Sequence, residues 1–377
     1  LPLPGDARFV GTLTDVQKRA SVSVLGNAMA RDGGAIVSLP CGYGKTVWCV
    51  HAIVALGRKA CVLVHKSVIR DQWVEAFKRF APELRVGILQ GKTCDVTDRD
   101  VVVAMVMTLA KRKYDPSLMD SIGTVCCDEA HHLAAPVMNL ALRTFRARYV
   151  IGLTATMERP DGLTPVLHWC LGPEGFRVER NGGESVRVSV ALFPKGAREV
   201  LSRDGKPIVA LMTNALATNA ARNAFVADRV AAMRRAGRVI LVLSDRIAQL
   251  DALRVLLLAH GLADTDVGLF KGGLRDAERA AQLARPVVLC SYGMANEGVD
   301  KREADTCVLA TPKGRVTQAI GRVQRPCEVK QPPLVLDVAD DASVFTHLRW
   351  KRQRTYAAEK YEVQVLPHDA PAGAWFT

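Results

Sequence analysis

The chain has 377 residues, 49% hydrophobic and 24% charged, enough for two ordinary domains that each bury a core. Its net charge of +13 and pI of about 9.4 make a polyanion the first partner to consider, the alternative being a uniformly basic surface. No apolar stretch approaches the ~20 residues of a spanning helix, which argues against a membrane partner. Ten scattered cysteines without any Cys-x-x-Cys argue against a zinc site or a disulfide framework, and for an intracellular, reducing compartment. The chain opens Leu1-Pro2-Leu3-Pro4 without Met, signal or transit pattern, so a missing N-terminal segment is one expectation.

Short β-branched runs alternate with longer helical patterns, which predicts parallel α/β sheets. In the first half, strands are expected at 35–39, 60–65, 101–106, 124–127 and 149–153, with amphipathic helices at 46–56 and 68–80. A polar, glycine-rich stretch then changes the composition. The second half repeats the pattern, with strands at 239–243, 267–269, 287–290, 306–310 and 334–338 and helices at 219–236 and 245–260. The expected organisation is a first α/β domain over 1–174, a linker over 175–185, a second α/β domain over 186–346 and a basic C-terminal tail over 347–377. Each domain is expected as a mainly parallel sheet flanked by helices.

Three segments carry chemistry. In the first, Gly42-Tyr43-Gly44-Lys45-Thr46 follows a predicted strand and opens a predicted helix. Glycines let backbone N–H groups approach phosphates, and the helix N-terminus adds a favourable dipole. Lys45 then bridges the β- and γ-phosphates of ATP and Thr46 Oγ1 ligates Mg²⁺. Leu39 stands where the usual pattern has glycine.

In the second, Asp128-Glu129 ends the apolar run Val125-Cys126-Cys127. Asp128 is the candidate Mg²⁺ ligand and Glu129 the candidate that orients the attacking water. His131 is a coupling candidate, sensing nucleotide or bonding across a cleft. The adjacent Cys126 and Cys127 read as buried thiols of a core strand.

In the third, Gln318, Arg322 and Arg325 lie on a predicted helix, the arginines three apart and so on one face. A planar, permanently charged guanidinium suits transition-state phosphate, and the alternative is a plain basic face. Two similar units with one phosphate loop suggest a nucleotide clamped between them.

With these motifs in order from residue 13 to about residue 325, the chain resembles a superfamily 2 helicase. Leu13-Thr14-Asp15-Val16-Gln17 resembles the upstream element that reads adenine through its glutamine, with Thr14 in place of the usual arginine. Gly152-Leu153-Thr154-Ala155-Thr156 resembles the segment that couples hydrolysis to motion through Thr154 and Thr156. The segments 243–246, 270–273 and 291–300 resemble motifs of the second domain, where Gly298 and Asp300 match nucleotide-binding positions. The resemblance extends to helicases of large nucleocytoplasmic DNA viruses of the poxvirus transcript-release type and, more distantly, to XPB-like and phage UvsW-like DNA helicases.

The resemblance implies two RecA-like domains, ATP and Mg²⁺ as cofactors, and an ATP-dependent motor on DNA moving 3′ to 5′. DNA is favoured over RNA, with transcription or repair proteins as further partners. Gln72, Thr108, Ser244, Arg246, Lys271 and Gly272 match positions that grip the phosphodiester backbone, contacts that are sequence-independent and salt-sensitive. An RNA helicase, a nucleotide-dependent DNA clamp without turnover, and the motor portion of a restriction enzyme are the alternatives. The basic run 347–356 either adds phosphate and stacking contacts through Trp350 and Tyr356 or packs them on the second domain.

Overall fold

Runs such as Val101–Met105 and Leu334–Asp340 are buried along their whole or nearly whole length, the pattern of strands covered by helices on both faces. The computed structural model describes the chain apart from residues 41, 113, 131–135, 156–163, 179–184, 195–198, 298, 300, 326, 328–329 and 376–377. It divides into two units, Leu1–Glu179 and Arg180–Thr377.

The first unit holds β1 (Gly34–Ser38), β2 (Ala60–Val64), β3 (Val86–Gln90), β4 (Thr93–Cys94), β5 (Val101–Met105), β6 (Thr124–Cys127), β7 (Tyr149–Thr154) and β8 (Glu174–Arg177). They form one sheet in the order β4-β3-β5-β2-β6-β7-β1-β8, parallel except for the short β3–β4 pair. The second holds β9 (Arg187–Phe193), β10 (Ile240–Ser244), β11 (Val267–Phe270), β12 (Val287–Ser291), β13 (Thr306–Leu309), β14 (Leu334–Asp340) and β15 (Glu362–Pro367). Its sheet runs β11-β12-β10-β13-β14-β9-β15, parallel throughout. With β4 set aside, the two sheets are wound in the same order, strand for strand. The expected pair of mainly parallel α/β units is what the chain forms.

Alternation along single strands explains the two-sided cores. In β2, Ala60, Val62 and Val64 join one apolar cluster while Cys61 and Leu63 join the other. In β10, Ile240 and Val242 face one cluster and Leu241 and Leu243 the other. Cys126 and Cys127 divide in the same way in β6, both fully buried. Burial pushes the Cys127 thiol well above its ordinary pKa. Among the described residues no helix is long and apolar enough to cross a membrane.

Two expected boundaries shift. Residues 174–177, placed at the end of the first domain and the start of a linker, form β8 and pair with β1. Residues 347–377, expected as a tail, belong to the second unit: the Ser343–Ala358 helix packs on β14, and β15 pairs with β9. Tyr356 and Arg352 of that helix are buried, whereas Trp350 is 52% exposed. The aromatic pair is thus split between core and surface.

Candidate nucleotide site in the first unit

β1 hands over to the phosphate loop one residue late. Leu39, still fully buried, donates its N–H to Thr154 O at 3.0 Å, extending the pairing of β1 with β7. The apolar Leu39 therefore completes a strand where the usual pattern starts a turn. Thr154 is buried at the end of β7, opposite Ser38 in register. Its expected coupling partners His131 and Thr156 lie outside the described residues.

The turn that follows uses glycine where side chains are strained: Gly42 has φ +91° and Gly44 φ +72°. Gly44 caps the Lys45–Leu56 helix, whose first residues are Lys45 and Thr46. The opening N–H groups of a helix have no intrahelical acceptor, so the loop and helix start present donors and a positive dipole end to an anion.

Gln17 braces this loop from outside. Its Nε2 donates to Tyr43 O at 3.2 Å and Gly44 O at 3.1 Å, and its Oε1 accepts from Thr14 N–H at 2.9 Å. Thr14 Oγ1 in turn accepts from Gln17 N–H at 3.3 Å, a reciprocal cap on the Asp15–Ser23 helix. A Cβ on Gly44 would lie 2.4 Å from Gln17 Nε2, the movable end of a side chain, so the φ of +72° rather than the space is what favours glycine there. The amide expected to read adenine is engaged on the loop's own backbone.

Asp128 follows β6 and extends it, its N–H donating to Leu63 O at 3.1 Å. The residue is 8% exposed. Oδ1 accepts from the Glu129 N–H at 2.9 Å, and Oδ2 accepts from Trp73 Nε1 at 2.8 Å. Glu129 takes φ +50°, a left-handed backbone that turns the chain sharply at the strand's end and costs about 1–3 kcal/mol. Burial pushes the Asp128 carboxyl above the usual carboxylate range and the Glu129 charge adds to this, while the Trp73 indole, Lys45 and the Glu129 N–H pull it back. A bound cation would favour the ionised form further.

These residues fit a nucleotide with Mg²⁺. The loop takes a left-handed backbone at Gly44 that favours glycine, and the donor set of one carboxylate and one hydroxyl, Asp128 and Thr46, is all hard oxygen. Such a set suits Mg²⁺, which takes its remaining oxygens from substrate phosphates and water.

In the second unit, Gln318 and Arg322 sit on the Thr317–Val323 helix, and Arg322 Nη1 donates to Val299 O at 2.9 Å. Arg325 lies beyond that helix, past its C-cap Gln324, so the two arginines do not share a helical face as the spacing predicts. Gly298 and Asp300 lie outside the described residues.

The candidates for gripping nucleic acid fall into two groups. Gln72 and Gly272 are exposed, and Lys271 is partly exposed beside Asp251 at 3.7 Å. Arg246 is partly exposed and donates to Ala210 O at 3.3 Å. Ser244 and Thr108, by contrast, are buried and spent internally. Ser244 Oγ donates to Gln249 Oε1 at 2.6 Å and accepts from Arg246 N–H at 3.0 Å, and Thr108 Oγ1 accepts from Gly91 N–H at 3.0 Å. A polar residue type at a motif position does not reveal that its hydroxyl is already spent on the fold. The role of Trp73 was missed, because nothing in sequence ties it to a carboxylate 55 positions away. The Thr14–Gln17 pair, at capping-box spacing, could have been read.

The family model described as "Type III restriction enzyme, res subunit" matches residues 11–159, the stretch holding Gln17, the phosphate loop and Asp128-Glu129. A protein of Acanthamoeba polyphaga mimivirus, provisionally described as an ATP-dependent RNA helicase, is 28% identical over 366 residues, 95% of this chain and 70% of that protein. The helicase/translocase subunit XPB of the general transcription and DNA repair factor IIH from Schizosaccharomyces pombe is 30% identical over 188 residues, 46% of this chain and 23% of that protein. Among solved structures, Saccharomyces cerevisiae Dbp5 bound to RNA and ADP BeF3 matches in fold, with a TM-score of 0.66 at 13% identity over 94% of this chain and 90% of that one. The chain is an ATP-hydrolysing enzyme that resembles superfamily 2 helicases of the viral and XPB type.

Proposed function

We propose that this protein is a superfamily 2 helicase that couples ATP hydrolysis to movement on DNA. The observation that carries the reading is the carboxylate pair at the end of β6, with Asp128 held at both oxygens, together with a loop whose left-handed turn at 44 favours glycine. When bound, ATP supplies the scissile phosphoryl bond and Mg²⁺ offsets its charge. Lys45 and the loop N–H groups hold the phosphates, Thr46 and Asp128 hold the cation, and Glu129 orients water for attack. Arg322 and Arg325 of the second unit stabilise the charge that develops in the transition state, with Gln318 beside them. Thr154 relays the change, and surface groups such as Gln72, Arg246, Lys271 and Gly272 grip the backbone in sequence. The net charge of +13 favours any such polyanion.

DNA is preferred on the resemblance to XPB, a relative named for DNA repair. RNA is the second reading, favoured by the description of the mimivirus relative as an RNA helicase. Steady-state ATPase measured with single-stranded DNA, duplex DNA and RNA separates them, with Glu129→Gln as the inactive control. Stimulation mainly by DNA is expected; stimulation mainly by RNA would replace the proposal with the second reading. Glu129→Gln is expected to bind ATP and to turn over about 10²–10⁴-fold more slowly, and normal turnover in this variant would remove Glu129 from its role.

A further inference from the structure

Of the two hydrogen bonds described to the Asp128 carboxylate, one is local and one comes from another element. The local bond is the Glu129 N–H, which moves with the strand end. The other is the Trp73 indole on the Ser67–Phe80 helix, 2.8 Å from Oδ2. An indole N–H only donates, and when buried it needs an acceptor, so this bond has one direction and one partner. Trp73 is 1% exposed and Phe77 fully buried, their rings 6.0 Å apart, with Ile69 a turn earlier on the same face. The indole is therefore fixed to its helix by packing and can move little unless the helix moves.

One residue earlier on that helix is Gln72, exposed to solvent. A single helical turn thus presents one polar side chain outward and one indole inward to the carboxylate. Hydrogen bonds weaken steeply with length and misalignment. A small shift of this turn would then change how firmly Asp128 is aimed.

We propose that Trp73 is a positioning residue that carries the state of the Ser67–Phe80 helix to Asp128, so that nucleic acid gripped at Gln72 tunes the cation-holding carboxylate. The coupling half of this inference rests on the reading of Gln72 given above. The positioning half rests on the bond alone. Groups that orient metal ligands from behind are worth about 10–100-fold in affinity or activity, which sets the expected size.

The test uses the full chain and three proteins: wild type, Trp73→Phe, and Phe77→Leu. The last disturbs the same apolar patch but keeps the indole N–H. Two quantities are read: the Mg²⁺ concentration that half-saturates equilibrium binding of a fluorescent ATP analogue without nucleic acid, and kcat and KM for ATP with and without single-stranded DNA or RNA. For Trp73→Phe we expect the Mg²⁺ requirement to rise about 10–100-fold, the stimulation of kcat to fall, and nucleotide-free nucleic-acid affinity to stay at the wild-type value. Phe77→Leu is expected to lower the unfolding temperature while keeping the wild-type Mg²⁺ requirement and stimulation.

Wild-type Mg²⁺ dependence and stimulation in Trp73→Phe would overturn the proposal. So would a Phe77→Leu variant that reproduces both losses, since packing and not the N–H would then be responsible. If wild type shows no stimulation by either nucleic acid, the functional reading fails and the coupling falls with it. A raised Mg²⁺ requirement in Trp73→Phe would still uphold the positioning of Asp128.

Discussion

The two units wind their strands in the same order, yet the strand ends that correspond in β6 and β13 carry different chemistry. The matching positions make the contrast sharp. Asp128 follows β6 and donates its N–H to Leu63 O; Ala310 follows β13 and donates its N–H to Leu243 O at 2.8 Å. The backbone is doing the same thing in both places, but one position carries a carboxylate and the other a buried methyl. Around Ala310 the second unit spends its polar groups on itself. Arg222 bonds both the Ala310 carbonyl and the fully buried Asp340 carboxylate, Arg352 and Tyr356 meet at Asp337 at 2.8 and 2.9 Å, and Lys313 pairs with Asp245 at 2.8 Å. At this one position a single architecture therefore serves as a chemical edge in one copy and as a closed, self-satisfied edge in the other.

Four substitutions press on that contrast. The largest effect is expected from Arg322→Ala, which takes from the second unit its proposed contribution to the transition state: kcat should fall by about 10³-fold or more with nucleic-acid binding nearly unchanged. An unaltered ATPase would mean that the second unit adds nothing to the chemistry. Next comes Lys45→Ala in the first unit. Turnover should drop about 10²–10³-fold, and titration with an ATP analogue should show weakened binding as well, a pattern that separates it from Arg322→Ala.

Arg352→Ala addresses the closed edge. It leaves Asp337 buried without its cation, and about 3–5 kcal/mol of stability should be lost, read as an earlier denaturant transition of the second unit. ATP-analogue binding by the first unit should not move; if it does, the edge of the second unit is less self-contained than its hydrogen bonds suggest. The smallest effect is expected from Lys271→Ala. Nucleic-acid affinity should weaken modestly, with the slope against log salt reduced by about one, and an unchanged slope would remove Lys271 from the phosphate contacts.

Much of this was legible in the sequence, and the exceptions have physical causes. The strands that bury both faces, such as β2 and β10, show as unbroken apolar runs and were expected within a residue or two. β9 and β15 were not. β15 is an edge strand with Val363 44% and Val365 52% exposed, and its partner β9 lies far back in the chain, so no local pattern announces the pairing. The nucleotide loop and the carboxylate pair were readable because glycine and acidic residues at fixed spacing have few other uses. What holds them in place was not, since Trp73 and Gln17 act across 55 and 26 to 27 positions. The buried duties of Ser244 and Thr108 were hidden too: Ser244 bonds within its own turn, as any turn allows, and Thr108 accepts from Gly91, 17 positions back.

The position of β9 has a consequence for how the molecule is made. Its neighbours in the sheet are β14 and β15, which begin far later, at Leu334 and Glu362. A ribosome that has just delivered β9 must add nearly 150 further residues before either neighbour exists, roughly 10–30 s at about 5–20 residues per second. The first unit completes its sheet at β8 and can fold while this proceeds. The second must hold an apolar strand unpaired until those later strands emerge, which makes it the unit more open to misassociation.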